Sequence, residues 1–213
     1  TTNGGTTRYS SGTKVLGTSV TGVNDRPTLS SDVTLTAVSE DTVSPPGATV
    51  TSLLATKYAD VTDNQSAVTG GGNTSAVLGG MAIIGNASTA AQGKWQYNTN
   101  TVGSVWTDVP LSGLSDTSAI VLPVAASLRF VPVADFNGTP GALSIRASDA
   151  NVALAATGVD LGATLPLTDA RSQWSLVRSL GAGVTAVNDT PALTGTAANP
   201  TAAENGNTGA AIS

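Results

Sequence analysis

Val20-Thr-Gly-Val-Asn-Asp25-Arg-Pro27 returns as Val184-Thr-Ala-Val-Asn-Asp189-Thr-Pro191, 164 residues further on and without a gap. From Leu16 to Leu29, nine of fourteen positions are identical to those from Leu180 to Leu193. The match continues outward, Lys14-Val-Leu-Gly17 onto Arg178-Ser-Leu-Gly181 and Ser39-Glu40-Asp41 onto Ala203-Glu204-Asn205. Self-similarity at one long offset is the mark of tandem modules. The chain of 213 residues therefore reads in three parts. Residues 1–24 are the closing strand or strands of one module, 25–189 a complete module, and 190–213 the opening strand or strands of the next. Such an organisation points to scaffolding before chemistry.

Composition narrows the function further. Only 11% of residues are charged and the net charge is −5, with nine basic residues scattered along the chain, so nothing forms a footprint for nucleic acid or an anionic membrane. There is no Cys, which excludes disulfides, thiol nucleophiles and the usual structural zinc sites. There is no His either, which removes the commonest general base and excludes a Ser-His-Asp triad. Gly70-Gly-Gly72 is followed by neither Lys-Ser/Thr nor a helix, so it is not a phosphate cradle. No run of about eighteen apolar residues could span a bilayer. No catalytic constellation stands out, and the chain reads as a non-enzyme.

Thr, Ser, Val, Ala and Gly dominate, the composition of short strands and frequent turns. Val33–Val38 alternates through Leu35, and Gly80–Gly85 has the look of a short buried strand. Gly93-Lys-Trp-Gln-Tyr97 and Ser104-Val-Trp-Thr-Asp108 make a hairpin around 98–103, with Trp95 and Tyr97 on one face. Ala119–Leu122, Ser127–Val131 and Ala142–Ala147 are further strands, and Ala48–Leu54 is a strand or one helical turn. Asp60–Gly72 reads as a loop, 152–175 as an inserted hairpin or loop, and Leu176–Leu180 has a weak helical look. Many short strands at about ten-residue spacing argue an all-β sandwich.

Four motifs then occur in a familiar order: Val-Asn-Asp-x-Pro at the junctions; Gly93-x-Trp-x-Tyr97 with Ser104-x-Trp106; Leu128-Arg-Phe-Val-Pro-Val-Ala-Asp-Phe-Asn-Gly138; and Ile145-Arg-Ala-Ser-Asp149. Together they resemble the cadherin-like tandem repeats of large RTX-type bacterial surface adhesins, and Asn3–Tyr9 resembles the last hairpin of a preceding copy. The resemblance implies an immunoglobulin/cadherin-like Greek-key β-sandwich in a tandem array, outside the cell at the bacterial surface, with Ca2+ at the module junctions. Two departures stand out. The unit of 164 residues is longer than a plain sandwich of about one hundred. The turn after the last core motif is Ser148-Asp149-Ala150 in place of aromatic-Asp-Gly.

Calcium takes six to eight oxygens, which Asp, Glu and Asn at turns supply. By the resemblance, Asn188 and Asp189 of the linker would join Glu40 and Asp149, with Asn24 and Asp25 the equivalent upstream pair. Asp60 and Asp63, spaced Asp-x-x-Asp-Asn, would add a separate loop contribution, while Glu204 and Asn205 belong to a partial copy. The same residues also make good turns with no ion. Trp95, Tyr97 and Trp106 are either core or an aromatic platform for sugars, and Arg129 and Arg146 are strand residues that pair across the sheet or snorkel. The leading expectation is a structural extender whose surplus end strands dock head to tail on neighbouring copies or repeats. The alternative is a calcium-dependent carbohydrate- or peptide-binding module of an adhesin, with surface glycans or proteins as partners.

Overall fold

The computed structural model describes residues 13–65, 75–103, 105–153, 155–191 and 194–195. In chain order the elements are β1 (Thr28–Leu29), β2 (Val33–Thr34), β3 (Val38–Ser39), β4 (Ala48–Thr49), the helix α1 (Val50–Leu54), β5 (Tyr58–Ala59) and β6 (Gly80–Asn86). There follow β7 (Gly93–Asn98), β8 (Thr107–Asp108), β9 (Ala119–Pro123), β10 (Ser127–Pro132), β11 (Leu143–Ser148), β12 (Ala156–Val159), β13 (Arg178–Gly181) and β14 (Val184–Thr185). A six-stranded sheet has the order β12-β9-β6-β11-β13-β2, and a four-stranded sheet the order β4-β10-β7-β8. Two short pairs, β1-β5 and β14-β3, extend them. Pairing is antiparallel except where β13 meets β2 and β14 meets β3, which run parallel.

Period-two alternation decides which face each strand buries. Met81, Ile83, Ile120, Leu122, Leu143, Ile145, Ala147 and Leu180 point inward from the large sheet, and Trp95, Leu128 and Phe130 inward from the small one. These side chains form one buried cluster with Val50 and Leu54 of α1, so the core lies between two sheets. Trp95 meets Phe130 edge to face, ring centroids 5.4 Å apart, in a core short of other aromatic rings. Ala82, Ala119 and Val121, one residue out of phase, face the other way and are covered by Leu161 and Trp174. Residues 160–175 thus close over the outer face of the large sheet. Arg26 holds that loop to the start of the module: its backbone N–H donates to the Ala170 carbonyl (2.7 Å), and its guanidinium reaches the Leu167 and Asp169 carbonyls.

The hairpin over 93–108 forms, with Gln96 opposite Asp108 and Tyr97 opposite Thr107. Ala48–Leu54 divides into both of its expected forms, a two-residue strand and one turn of helix capped by the Thr49 hydroxyl on the Ser52 N–H. Val33–Val38 breaks into β2 and β3 around Leu35–Ala37. The helical look of Leu176–Leu180 is overturned: Arg178–Gly181 is β13, drawn into extended form by β11 on one side and β2 on the other. Of the expected loop insertions, 152–175 supplies one edge strand, β12, before it becomes irregular. Asn3–Tyr9, Gly70–Gly72, Ser104, Glu204 and Asn205 lie outside the described residues.

Candidate metal centres at the two ends of the module

The linker residues Asn24 and Asp25 lead into β1, which pairs with β5; the turn after β5 carries Asp60 and Asp63. Asp149 directly follows β11, and the linker brings it to the same place. The Asn24 side-chain amide donates to Asp149 Oδ2 at 3.0 Å, and the Asp25 backbone N–H donates to Asp63 Oδ2 at 3.1 Å. Asp60 and Asp63 are buried, and Asp60 Oδ2 accepts the Ala76 N–H at 2.7 Å. Asp60 Oδ1 is buried and has no hydrogen-bond partner among the described residues. Buried polar atoms are nearly always satisfied, so an orphaned carboxylate oxygen among other carboxylates is where a cation fits.

Electrostatics agree with the crowding. Burial, then the charges of Asp60 and Asp63, push Asp149 from 3.8 up to about 6, against the lowering effect of the Asn24 hydrogen bond. Burial likewise raises Asp60, with Asp63 and Asp25 adding to it. Burial and the neighbouring Asp60, Asp149 and Asp63 raise the Tyr58 phenol, whose hydroxyl donates to the Ala76 carbonyl at 3.1 Å. Without a cation, Asp149 and Asp60 therefore keep a proton to higher pH than a free carboxylate does.

The downstream end holds a second group. Glu40 and Asp41 follow β3, Asp135 sits in the turn after β10, and Asp189 follows β14. Asp41, Asp135 and Asp189 are exposed, and one carboxylate oxygen from each lies within 4.8 Å of the others. Glu40 is buried and already bonded: Oε1 accepts the Val187 N–H (2.6 Å) and Oε2 the Asn137 amide (2.9 Å), contacts that hold its carboxyl below the usual range. It thereby holds the segment after β14 and the turn after β10 to the end of β3. Asp189 is raised, by desolvation first and then by Asp41, Asp135 and Glu40. Among the described residues the Asn188 amide makes only a long 3.5 Å contact to the Asp189 carbonyl, whereas the Asn24 amide reaches the Asp25 carbonyl at 3.2 Å in addition to Asp149 and the Arg171 carbonyl.

One grouping expected from sequence changes. Asp149 does not join Glu40, Asn188 and Asp189, because β11 runs antiparallel to β13 with Leu143 opposite Leu180. That register carries Asp149 to the upstream end, while β14 continues to the downstream one. Asp60 and Asp63 are likewise not a separate loop site but part of the Asn24–Asp25–Asp149 group. Sequence reasoning does not reach Asp41 and Asp135 as ligands. The signals available in the sequence are positional: Asp41 directly follows Glu40, and Asp135 opens the turn Asp135-Phe-Asn-Gly138.

The three aromatic residues do not form one platform. Trp95 is fully buried, its indole N–H bonded to the Gly141 carbonyl at 2.9 Å, and so presents no ring to a ligand. Tyr97 packs half-buried against the core. Trp106 lies across the small sheet's outer face under the Arg129 guanidinium, 4.1 Å from the ring centroid. Arg129 also donates to Gln96 and the Pro45 carbonyl, while Arg146 makes a two-point pair with Asp116 at 2.8 and 2.9 Å; both arginines are structural. Among the described residues no helix is long and apolar enough to cross a membrane. In comparisons with known proteins, no family model, no curated protein and no solved structure matches the chain.

Proposed function

We propose that the chain is a structural extender module of a bacterial cell-surface adhesin or extracellular filament, an immunoglobulin/cadherin-like Greek-key sandwich repeated in tandem and stiffened by calcium at its junctions. One observation carries this reading. The repeated Asn-Asp pair stands at both ends of the module, each time against a different set of acids: Asn24–Asp25 with Asp60, Asp63 and Asp149, and Asn188–Asp189 beside Glu40, Asp41 and Asp135. In an array one such pair is both the end of one module and the start of the next. Each junction then gathers both sets of acids around a single linker. Carboxylates and backbone carbonyls at turns are the hard oxygen donors that Ca2+ takes, and nitrogen or sulfur donors of His and Cys are absent from the chain.

The mechanism is mechanical. With the ion bound, the acids of two modules share one cation and the hinge at Arg26-Pro27 or Thr190-Pro191 is restrained. Without it they repel, and the hinge opens. The parallel seating of β13 on β2 and β14 on β3 supports a sandwich whose last strand delivers the chain directly to that junction.

Thermal unfolding in millimolar calcium, and again after chelation, tests the reading. An ion that binds only the folded state at a hundredfold its dissociation constant stabilises by about 2.7 kcal/mol, so the melting temperature should rise by several degrees. The combined variant Asp60→Asn, Asp149→Asn should lose most of the rise. An equal melting temperature with and without calcium would reduce the acids to turn formers.

A further inference from the structure

Residues 13–23 precede the module as a segment without regular structure, and its apolar side chains stand in solvent: Leu16 is 95% exposed and Val20 93%. Their counterparts in the repeat, Leu180 and Val184, are 0% and 6% exposed, held in the slot between β11 and β2–β3. We propose that residues 14–25 of one copy of this chain fill that slot in a second copy, replacing its 178–189, so that copies join head to tail by strand exchange. The proposal rests on the extender reading given above and names the occupant, the slot and the register.

The slot accepts the segment because its hydrogen bonds are to backbone. The Leu35, Val38 and Glu40 N–H groups donate to the carbonyls of Gly181, Gly183 and Thr185, at 2.9, 3.1 and 3.1 Å. Gly138 exchanges two bonds with Val184, and Glu40 receives the Val187 N–H. Backbone pairing of this kind transfers to any strand of matching shape. The side chains that fill the slot, Leu180 and Val184, recur as Leu16 and Val20. Val187, which gives its backbone N–H to Glu40, recurs as Val23, and Thr185, whose hydroxyl reaches the Val38 carbonyl, recurs as Thr21.

Five positions differ between the strands (14, 15, 18, 19 and 22), and three of them bear on the balance. Lys14 stands where Arg178 donates through Nε to the Leu29 carbonyl at 3.0 Å, so that bond is lost in the exchange. Ser19 replaces Gly183, whose φ is not left-handed and whose added Cβ would meet only the Ala37 Cβ at 3.4 Å, so it fits. Thr18 replaces the buried Ala182 and brings a hydroxyl into an apolar place. The chain's own strand is therefore preferred, and exchange requires opening of the slot. This is the usual condition for swapping an identical element between copies.

Exchange cannot occur within one copy. Asp25 is held beside Asp63 at the upstream end, whereas the slot delivers its last residue beside Asp41 and Asp135 downstream. Between two copies both conditions hold together. Asp25 of the donor takes the place of Asp189 in the acceptor while keeping its contact with Asp63 of its own module. The exchanged junction thereby collects both sets of acids around one linker, and a divalent cation should favour it.

The chain has no cysteine, so a pair introduced at exposed positions reports the register. Thr185 is opposite Ser39, and the exchanged strand therefore sets Thr21 of one copy opposite Ser39 of the other. The full-length Thr21→Cys, Ser39→Cys variant is unfolded and refolded at high concentration in calcium, then oxidised. The expected result is a ladder of covalent multimers whose peptide map contains the 21–39 disulfide. Adding Leu16→Asp and Val20→Asp, at exposed sites, should remove the ladder and leave the monomer's melting temperature unchanged. No ladder, a ladder of 21–21 or 39–39 links only, or one indifferent to the aspartates would overturn the proposal. A calcium-dependent rise in melting temperature without a ladder removes strand exchange alone; a ladder without that rise removes the ion and leaves the exchange.

Discussion

A carboxylate buried with one oxygen unpartnered, as Asp60 is, costs free energy unless a proton or a cation meets it. Asp149 records the same conflict in its rise to about 6. The consequence for stability has a definite sign. Between 3.8 and about 6 the folded chain holds a proton on Asp149 that the unfolded chain has released. Folding stability in chelator should therefore fall as pH rises through that window and level off above it. Asp60 and Asp189, raised as well, act in the same direction. Glu40, Asp108 and Asp169 are shifted down, so their contributions are lost only as pH falls through the acid range and are complete above it. Melting temperatures at about pH 5 and about pH 7 decide the matter: the chelated chain should be the more stable at the lower pH, and the calcium-bound chain at the higher, since protons compete with the metal. A chelated chain more stable at neutral pH would mean that these acids are not crowded in solution. Asp60 and Asp149 could be nominated from sequence as acids at turns. Their partnership could not, because Asp149 lies 89 residues further along the chain and only strand register brings it there.

At the scale of elements, the 93–108 hairpin was legible because alternation and two tryptophans mark it locally. Its entry also depends on one backbone conformation. Gly93 has φ 137°, and an added Cβ would lie 2.3 Å from the Val131 carbonyl oxygen of the neighbouring strand β10. Gly93→Ala should therefore destabilise the chain by at least about 2 kcal/mol, from backbone strain together with the clash, with urea unfolding as the measurement. A loss under about 0.5 kcal/mol, the range of an ordinary surface change, would show that the strand pair shifts freely. The strand β13 was not legible from its own residues, and only its counterpart in the repeat, Lys14–Gly17 in a segment read as a closing strand, pointed to it. Leu176 and Leu180 are four apart, a spacing that suits one helical face, and nothing local contradicts it. Two flanking strands with open hydrogen-bonding edges override that preference.

For the whole molecule, the two acidic groups sit at opposite ends, so an isolated chain should bind calcium at each end independently. Titration calorimetry should resolve two classes of site, one lost in Asp60→Asn and the other in Asp135→Asn, each variant leaving its distant partner site unchanged. Well-separated sites without shared partners behave additively. Loss of both classes in either variant would mean that the two groups form one site.

What the sequence determined alone is the repeat, its period, the β-rich class and the chemical type of the candidate ligands. These are properties of residue kind and spacing along a line, and the paired phrases at Val20–Pro27 and Val184–Pro191 state them directly. The tertiary structure alone decided which acids meet. It sent Asp149 upstream and Asp189 downstream, added Asp41 and Asp135, buried Trp95 in the core, and left Leu16 and Val20 bare where Leu180 and Val184 are covered. The physical reason is that antiparallel and parallel pairing fix direction as well as neighbour. Direction determines the end of the sandwich to which each turn, and each charge on it, is delivered.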